Sequence, residues 1–449
     1  MLFSKRNIQL NLILLALAAA IGFSYAWWAG LTAVFLSAML AVRKRQMIWL
    51  ATVVIGLIRG WLAIPEVLPS TAVVLTGVIR SDVIIEKTVR FTMTSDWGRI
   101  DVFARDSQLR FGDEVSVKCE SLTRRSIFRE PVCLADKVKV LRPAAAPGLW
   151  RGLNAVKQWM IAAIDRGLPV PEGPLLAGIL LGTRFDLPDD LAESFRRTGT
   201  SHIVAVSGYN VTIVVTLMAS LIGRLPLPRR VVTWLTIGSI VSFVILTGAS
   251  ASVVRAGIMG GLVVVARSIG RLSDAAHTLV ISATLMVFVD PATVADVGFQ
   301  LSVAATAGLV LLADPYERWL WWLPARLGLR SSLASTLAAI TLTEPLIAII
   351  FGRVSVIAAA VNVIVLPFVP LAMALGFAAA VVSGIVPLAS TFVGWLAWAP
   401  LFFVVTVVDR AAALPLASVG LGPTGSLFFA AIGAGVAMFM IARARRHAV

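Results

Sequence analysis

Seven polar residues lie inside or at the ends of otherwise apolar stretches of this 449-residue chain: His202, Ser207, Asn210, Arg255, Gln300, Glu344 and Asn362. A polar group away from water costs free energy unless it is partnered, and inside a membrane such groups mark substrate or ion paths. Glu344 makes the sharpest demand. It sits in mid-window directly before Pro345, so its carboxyl is either protonated or paired, and Arg255 is the natural partner to expect. The others also have plainer readings. His202 and Ser207 lie near a window end and suit an interface. Asn210 and Asn362 suit bonds across helices. Arg255 is near the end of its window and is long enough to snorkel.

The elements that must position these groups follow from composition. The chain is 58% hydrophobic and 14% charged, against about 25% charged in a soluble domain. A membrane-spanning helix needs about 20 apolar residues. Windows that fit are 8–25, 27–42, 46–64, 203–222, 231–248, 251–266, 275–290, 296–313, 333–350, 354–384, 391–408 and 424–441. The window at 354–384 is too long for one straight helix and is interrupted by Pro367 and Pro370, which predicts a kink or two half-helices. The fold class is therefore a polytopic α-helical membrane protein of about 11–13 segments. The first window lacks a small-residue cleavage site and runs straight into a second, so it reads as a membrane helix and not as a cleaved signal.

The net charge of +15 is not by itself a sign of nucleic acid. The one long polar stretch, residues 65–142, carries a net of only +2. The excess sits in short loops: Lys5/Arg6, Arg43–Arg45, Arg224–Arg230, Arg267/Arg271, Arg318–Arg330 and Arg443–Arg446. Cytoplasmic loops collect Lys and Arg, and a single alternation places every one of these clusters inside. Both termini are then cytoplasmic, residues 65–142 are extracytoplasmic, and the expected location is the cytoplasmic membrane.

Residues 65–142 read as a separate β domain. Runs at 71–80, 87–95, 99–105, 113–120 and 133–142 are β-branched or alternate apolar with polar. Gly98 and Gly112-Asp113 mark turns. Five short strands suit a small closed barrel of OB type, and equally a β-sandwich fragment. Cys119 and Cys133 both fall here, and an extracytoplasmic location favours a disulfide between them over two free thiols. Residues 143–200 differ again. An amphipathic helix at 149–167 suits the membrane interface. The run 173–182 is too short to span and suggests a re-entrant segment. The segment 187–199 has acids early and Arg196/Arg197 late, which suits a helix dipole at both ends. The organisation is then 1–64 membrane helices, 65–142 β domain, 143–200 amphipathic and re-entrant helices, and 201–449 membrane domain.

The segment "LLGTRFDLPDDLAESFRRTGTSHIVAVSGYNVTIV" (180–214) resembles the signature of the ComEC competence proteins, a family of DNA-uptake channels. The order continues with "ASASVVRAGIMG" (249–260), "VGFQLSVAATAGL" (297–309), "TLTEPLIAIIFGRVSVIAAAVNVIVLPFVPLAM" (341–373) and a basic tail. The resemblance runs from about residue 20 to the end. It implies a channel passing single-stranded DNA through a lipid membrane during natural transformation, served by a separate DNA receptor, cytoplasmic helicase motor and nuclease. Two departures stand out. The commoner signature has Leu-His after Ser-Gly, whereas Tyr209-Asn210 stands in this chain, so no imidazole titrates at 210. Many members also carry a metallo-β-lactamase-like nuclease domain. This sequence has three histidines and no His-x-His-x-Asp run, so no zinc nuclease is expected from it. It has no Gly-Lys-Ser/Thr P-loop either, so neither ATPase activity nor a cofactor is expected.

A strand in transit needs cations and stacking surfaces. Arg196, Arg197, His202, Arg255 and Arg353 supply cations if they converge. The outer domain offers Phe91 and Trp97 for stacking, with Arg80, Arg99, Arg105 and Arg110 for phosphates. Its near-neutral charge equally suits a solvated surface. Two other functions use the same residues: a transporter or flippase for another anionic solute or lipid, and a scaffold that only recruits partners.

Overall fold

The computed structural model describes residues 73–446 apart from 80–83, 86–88, 96–97, 105–108, 110–111, 124–131, 143–147, 184–186, 205, 271–273, 291–292, 295, 325–327 and 387–389. The three N-terminal windows, Arg80, Trp97, Arg105 and Arg110 lie outside the described residues. The described residues divide into two compact units, one within Met1–Val156 and Val280–Phe299, the other within Lys157–Leu279 and Gln300–Val449.

The first unit contains the β domain. Its strands are β1 (Val73–Ile79), β2 (Ile84–Ile85), β3 (Val89–Ser95), β4 (Gly98–Ala104), β5 (Glu114–Thr123) and β6 (Val132–Arg142). The sheet runs β1-β5-β6-β4-β3-β2, and a further antiparallel pairing of β1 with β3 closes it. Among the described strands only β4 and β6 pair in parallel. Leaving aside the two-residue β2, this is a closed five-stranded Greek-key barrel, the OB-like architecture expected. Period-2 alternation builds its core. Val89, Phe91 and Met93 point inward from β3, Ile100, Val102 and Ala104 from β4, and Val115, Val117 and Cys119 from β5. Cys119 and Cys133 are joined in a disulfide between β5 and β6, fully buried in that core. The burial of Phe91 corrects one expectation. Its ring is 1% exposed and fills the barrel, so it cannot stack on a base. Arg99 lies in β4, opposite Thr94 of β3.

Helices make up the rest. They are α1 (Gly148–Gly167), α2 (Glu172–Leu181), α3 (Asp189–Arg197), α4 (Ser201–Val204), α5 (Gly208–Ile222), α6 (Arg229–Leu246), α7 (Ala251–Ser268), α8 (Ala275–Val289), α9 (Val297–Trp319) and α10 (Leu329–Phe351). After strand β7 (Arg353–Ser355) come α11 (Ala358–Val365), α12 (Phe368–Ile385) and α13 (Ser390–Ala412). Strand β8 (Ser418–Gly420), antiparallel to β7, and α14 (Pro423–Arg446) complete the chain. Among the described residues, seven helices are long and apolar enough to cross a membrane: α6, α7, α9, α10, α12, α13 and α14. The protein is a polytopic membrane protein.

Two windows depart from a single straight helix. Residues 203–222 split into α4 and α5 because Ser207 adopts an extended backbone and starts a new helix at Gly208. Residues 354–384 break into β7, α11 and α12, with Pro367 at the α11–α12 junction. A proline cannot supply the amide that would continue α11. The ten-residue α2 is buried at nine positions and shares one core with α3 and α11–α13, centred on Leu175, Leu176, Phe195, Val365, Val369 and Leu401. A second core joins α9, α10 and α14 through Leu312, Leu320, Ala338 and Met440.

Candidate functional site

Several polar residues of the helical unit gather at two junctions. The first lies where α5 begins. Ser207 donates its hydroxyl to Asn210 Oδ1 (3.2 Å), and Asn210 Nδ2 donates to the Ile179 carbonyl (3.0 Å). Ile179 is in the last turn of α2, where carbonyls lack intrahelical donors, so Asn210 satisfies the end of one helix from the start of another. Beside it runs Arg255 of α7. Its Nε and Nη2 both donate to Ser302 Oγ of α9 (3.1 and 2.7 Å), and Nη1 contacts Met259 Sδ (3.0 Å). A Cβ built on Gly208 would stand 3.3 Å from Nη2, so the guanidinium lies against the α5 N-terminus.

The second junction lies where α3 meets the β7 turn. Arg353 Nη1 donates to Glu193 Oε1 (3.2 Å), and Arg196 Nε donates to Glu193 Oε2 (2.7 Å). The Ser355 hydroxyl lies 2.9 Å from the Arg197 carbonyl, another helix-end oxygen, and 3.3 Å from that of Ala417. Gly199 makes this approach possible. Its φ is +69°, and a Cβ there would stand 2.8 Å from Ala358 Cβ and 3.0 Å from Ser355 Cβ. Only glycine meets both demands. Glu344 lies buried on α10, the helix that leads into this turn. Glu344 Oε2 has no hydrogen-bond partner among the described residues.

Arg255 and Glu344 are each buried to about 95%, but they do not meet. Neither forms an ion pair with any described residue. The expected Arg255–Glu344 pair is thus absent, and neutral acceptors hold the arginine instead. Asn362 of α11 is buried with its Oδ1 unpartnered among the described residues. His202 is exposed on α4. Gln300 is half-buried on α9. It precedes Ser302 by two residues, about 200° around the helix, and so lies off the Arg255 face. Ser302, Met259, Glu193 and Ser355 are participants that a search for charged or amide groups in apolar windows passes over. All four nonetheless fall within the motif segments.

The Glu193 carboxyl titrates outside the spanning helices. Burial alone pushes it up, but the hydrogen bond and charge of Arg196, together with the charge of Arg353, outweigh this and hold it below the usual carboxylate value. A depressed folded-state pKa adds stability that is present above the unfolded value and is lost as pH falls through the folded one. The α3–β7 tie is therefore intact at neutral pH and weakens below about pH 4. Glu193→Gln is expected to cost less than about 1 kcal/mol at neutral pH, since both partners are substantially exposed. It should also remove the acid-side rise in proteolysis near α3. An unaltered acid response in the variant would contradict this.

A family model described as "Competence protein" matches residues 179–446. That is more than half the chain, and it spans both junctions. The chain belongs to the competence protein family. Individual relatives are distant. The chain is 24% identical over 214 residues to ComE operon protein 3 of Bacillus subtilis, covering 48% of this chain and 27% of that protein. It is 29% identical over 231 residues to competence protein ComA of Neisseria gonorrhoeae, covering 49% and 32%. An uncharacterized Escherichia coli protein, YcaI, is 28% identical over 209 residues, covering 45% and 28%. The matched region thus spans about a quarter to a third of the length of these curated relatives. No solved structure matches the chain.

Proposed function

We propose that this chain acts in DNA uptake during competence, conducting single-stranded DNA across the cytoplasmic membrane. The observation that carries the reading is the coincidence of the competence-family match with the unit that buries Arg255, Glu344, Asn210 and Asn362 among apolar helices. Buried polar groups in spanning helices are costly and are kept where something polar passes. The chain supplies the path, working with a receptor, a cytoplasmic motor and a nuclease. The basic loops set the termini in the cytoplasm and the β-barrel outside. Deleting the gene is expected to abolish transformation by exogenous DNA, and the wild-type gene in trans should restore it. Unchanged transformation in the deletion strain would sink the proposal.

The broken segment β7-α11-α12 favours a second reading, because discontinuous helices build midplane sites in solute transporters. A transporter or flippase for another anionic solute or lipid would leave transformation intact and give saturable uptake of that solute in proteoliposomes.

A further inference from the structure

We propose that one face of α5 lines the water-filled path of the substrate, a role that rests on the function proposed above and assigns residues to it. From Gly208 to Ser220 the exposed positions are Tyr209, Thr212, Thr216 and Ser220, and each carries a hydroxyl. At 100° and 1.5 Å per residue, they fall within about 80° of arc and extend over about 17 Å. Apolar residues occupy the sides of α5 that pack. Val211 and Val215 join a core with Val253 of α7 and Phe243 and Val244 of α6, while Ile213 and Val214 pack against the core that α2 shares with α11–α13. The hydroxyl stripe is the side these two cores leave open.

A lipid-facing side looks different in this same unit. Trp234, Leu235 and Val241 are exposed on α6, and Leu427, Phe428 and Ile432 on α14. Polar positions on membrane helices turn toward protein or toward a water-filled cavity, and no described residue covers these four. Thr212 Oγ1 donates to the Gly208 carbonyl (3.0 Å), and Ser220 Oγ donates to the Leu217 carbonyl (2.8 Å). With their protons held by their own helix, these oxygens turn lone pairs outward and carry no charge. Such a face is wetted without gripping a phosphate, and conduction needs contacts weak enough to leave. Tyr209, 45% exposed, adds at one end a ring on which a base can stack. Past Ser220, at the other end, comes the exposed basic turn with Arg224, Arg229 and Arg230.

Single cysteines in the full chain test this. Both native cysteines are tied in the Cys119–Cys133 disulfide, so an introduced thiol is read alone. Thr212→Cys, Thr216→Cys and Ser220→Cys are compared in nanodiscs with Val241→Cys and Ile432→Cys, using a charged methanethiosulfonate that does not enter lipid. All five sites are exposed or lie on an exposed face, and cysteine is close in size to the residues of the stripe, so the variants are expected to fold. The thiolate is the reacting form and apolar surroundings suppress it, so the stripe thiols should react at least about tenfold faster than the two comparators. Added oligodeoxythymidylate should slow the stripe thiols and leave the comparators unchanged. Stripe rates no faster than those at Val241 and Ile432 overturn the proposal. Such rates together with an intermolecular disulfide at Thr216→Cys would make the stripe an interface between two copies, which overturns it equally. Gene deletion separates this role from the reading beneath it. Slow stripe thiols with transformation lost on deletion remove only the stripe. Fast stripe thiols indifferent to the oligonucleotide, with transformation retained on deletion, remove only the DNA reading and leave a path for another solute.

Discussion

Gly308→Ala is expected to destabilise the protein by about 3 kcal/mol, the upper end for overpacking. In an exposed helix the same change gains up to about 1 kcal/mol, so the sign itself is informative. Gly308 lies where α9 crosses α10. A Cβ there would overlap the Ala338 carbonyl oxygen and stand 3.0 Å from its carbon. Both are backbone atoms in a helix, so no side chain can turn aside and the helices must part. Ser302, which holds Arg255, is six residues before Gly308; Glu344 is six residues after Ala338. Separating these helices disturbs both junctions. Thermal unfolding of the purified chain in detergent reads the effect. An unchanged or raised melting temperature would contradict the packing.

At Glu344 the expected result depends on the substitute. Leucine removes every hydrogen-bonding atom from this buried position, and a donor that loses its acceptor there costs about 1–3 kcal/mol. Glutamine keeps an acceptor and nearly the same shape, so Glu344→Gln should fold and melt close to wild type. The second carboxyl oxygen has no partner among the described residues. On the function proposed above it is available to a polar substrate, and Glu344→Gln should lower transformation about tenfold or more, the weight of one charge-assisted contact. Full transformation in a normally expressed Glu344→Gln strain would favour the scaffold reading.

Much of this was legible in the sequence. Hydropathy located the spanning helices because lipid imposes a length on each. Strict alternation located five barrel strands because one face of each had to be apolar. The two-residue β2 was too short to leave a pattern. Apolar periodicity could not reveal the break before Gly208, since apolar residues continue on both sides and the signal is a single Ser-Gly pair. The site was legible in part. Burial of Arg255, Glu344, Asn210 and Asn362 followed from their place in apolar windows. Their pairing did not, because charge complementarity across about 90 residues of sequence says nothing about distance. The true partners are hydroxyls, a thioether and backbone groups, cheap in apolar windows and thus inconspicuous. Phe91 illustrates the opposite error: an aromatic in an alternating strand belongs on the inner face unless its register places it outside.

The most direct test follows labelled donor DNA. In competent cells, the strand that reaches the cytosol in nuclease-protected form is measured in the deletion strain and in the same strain carrying wild-type or Arg255→Gln protein at equal membrane levels. The chain as a conduit predicts no cytosolic label without it, full recovery with wild type, and a marked deficit with Arg255→Gln. Wild-type cytosolic label in the deletion strain would contradict the account.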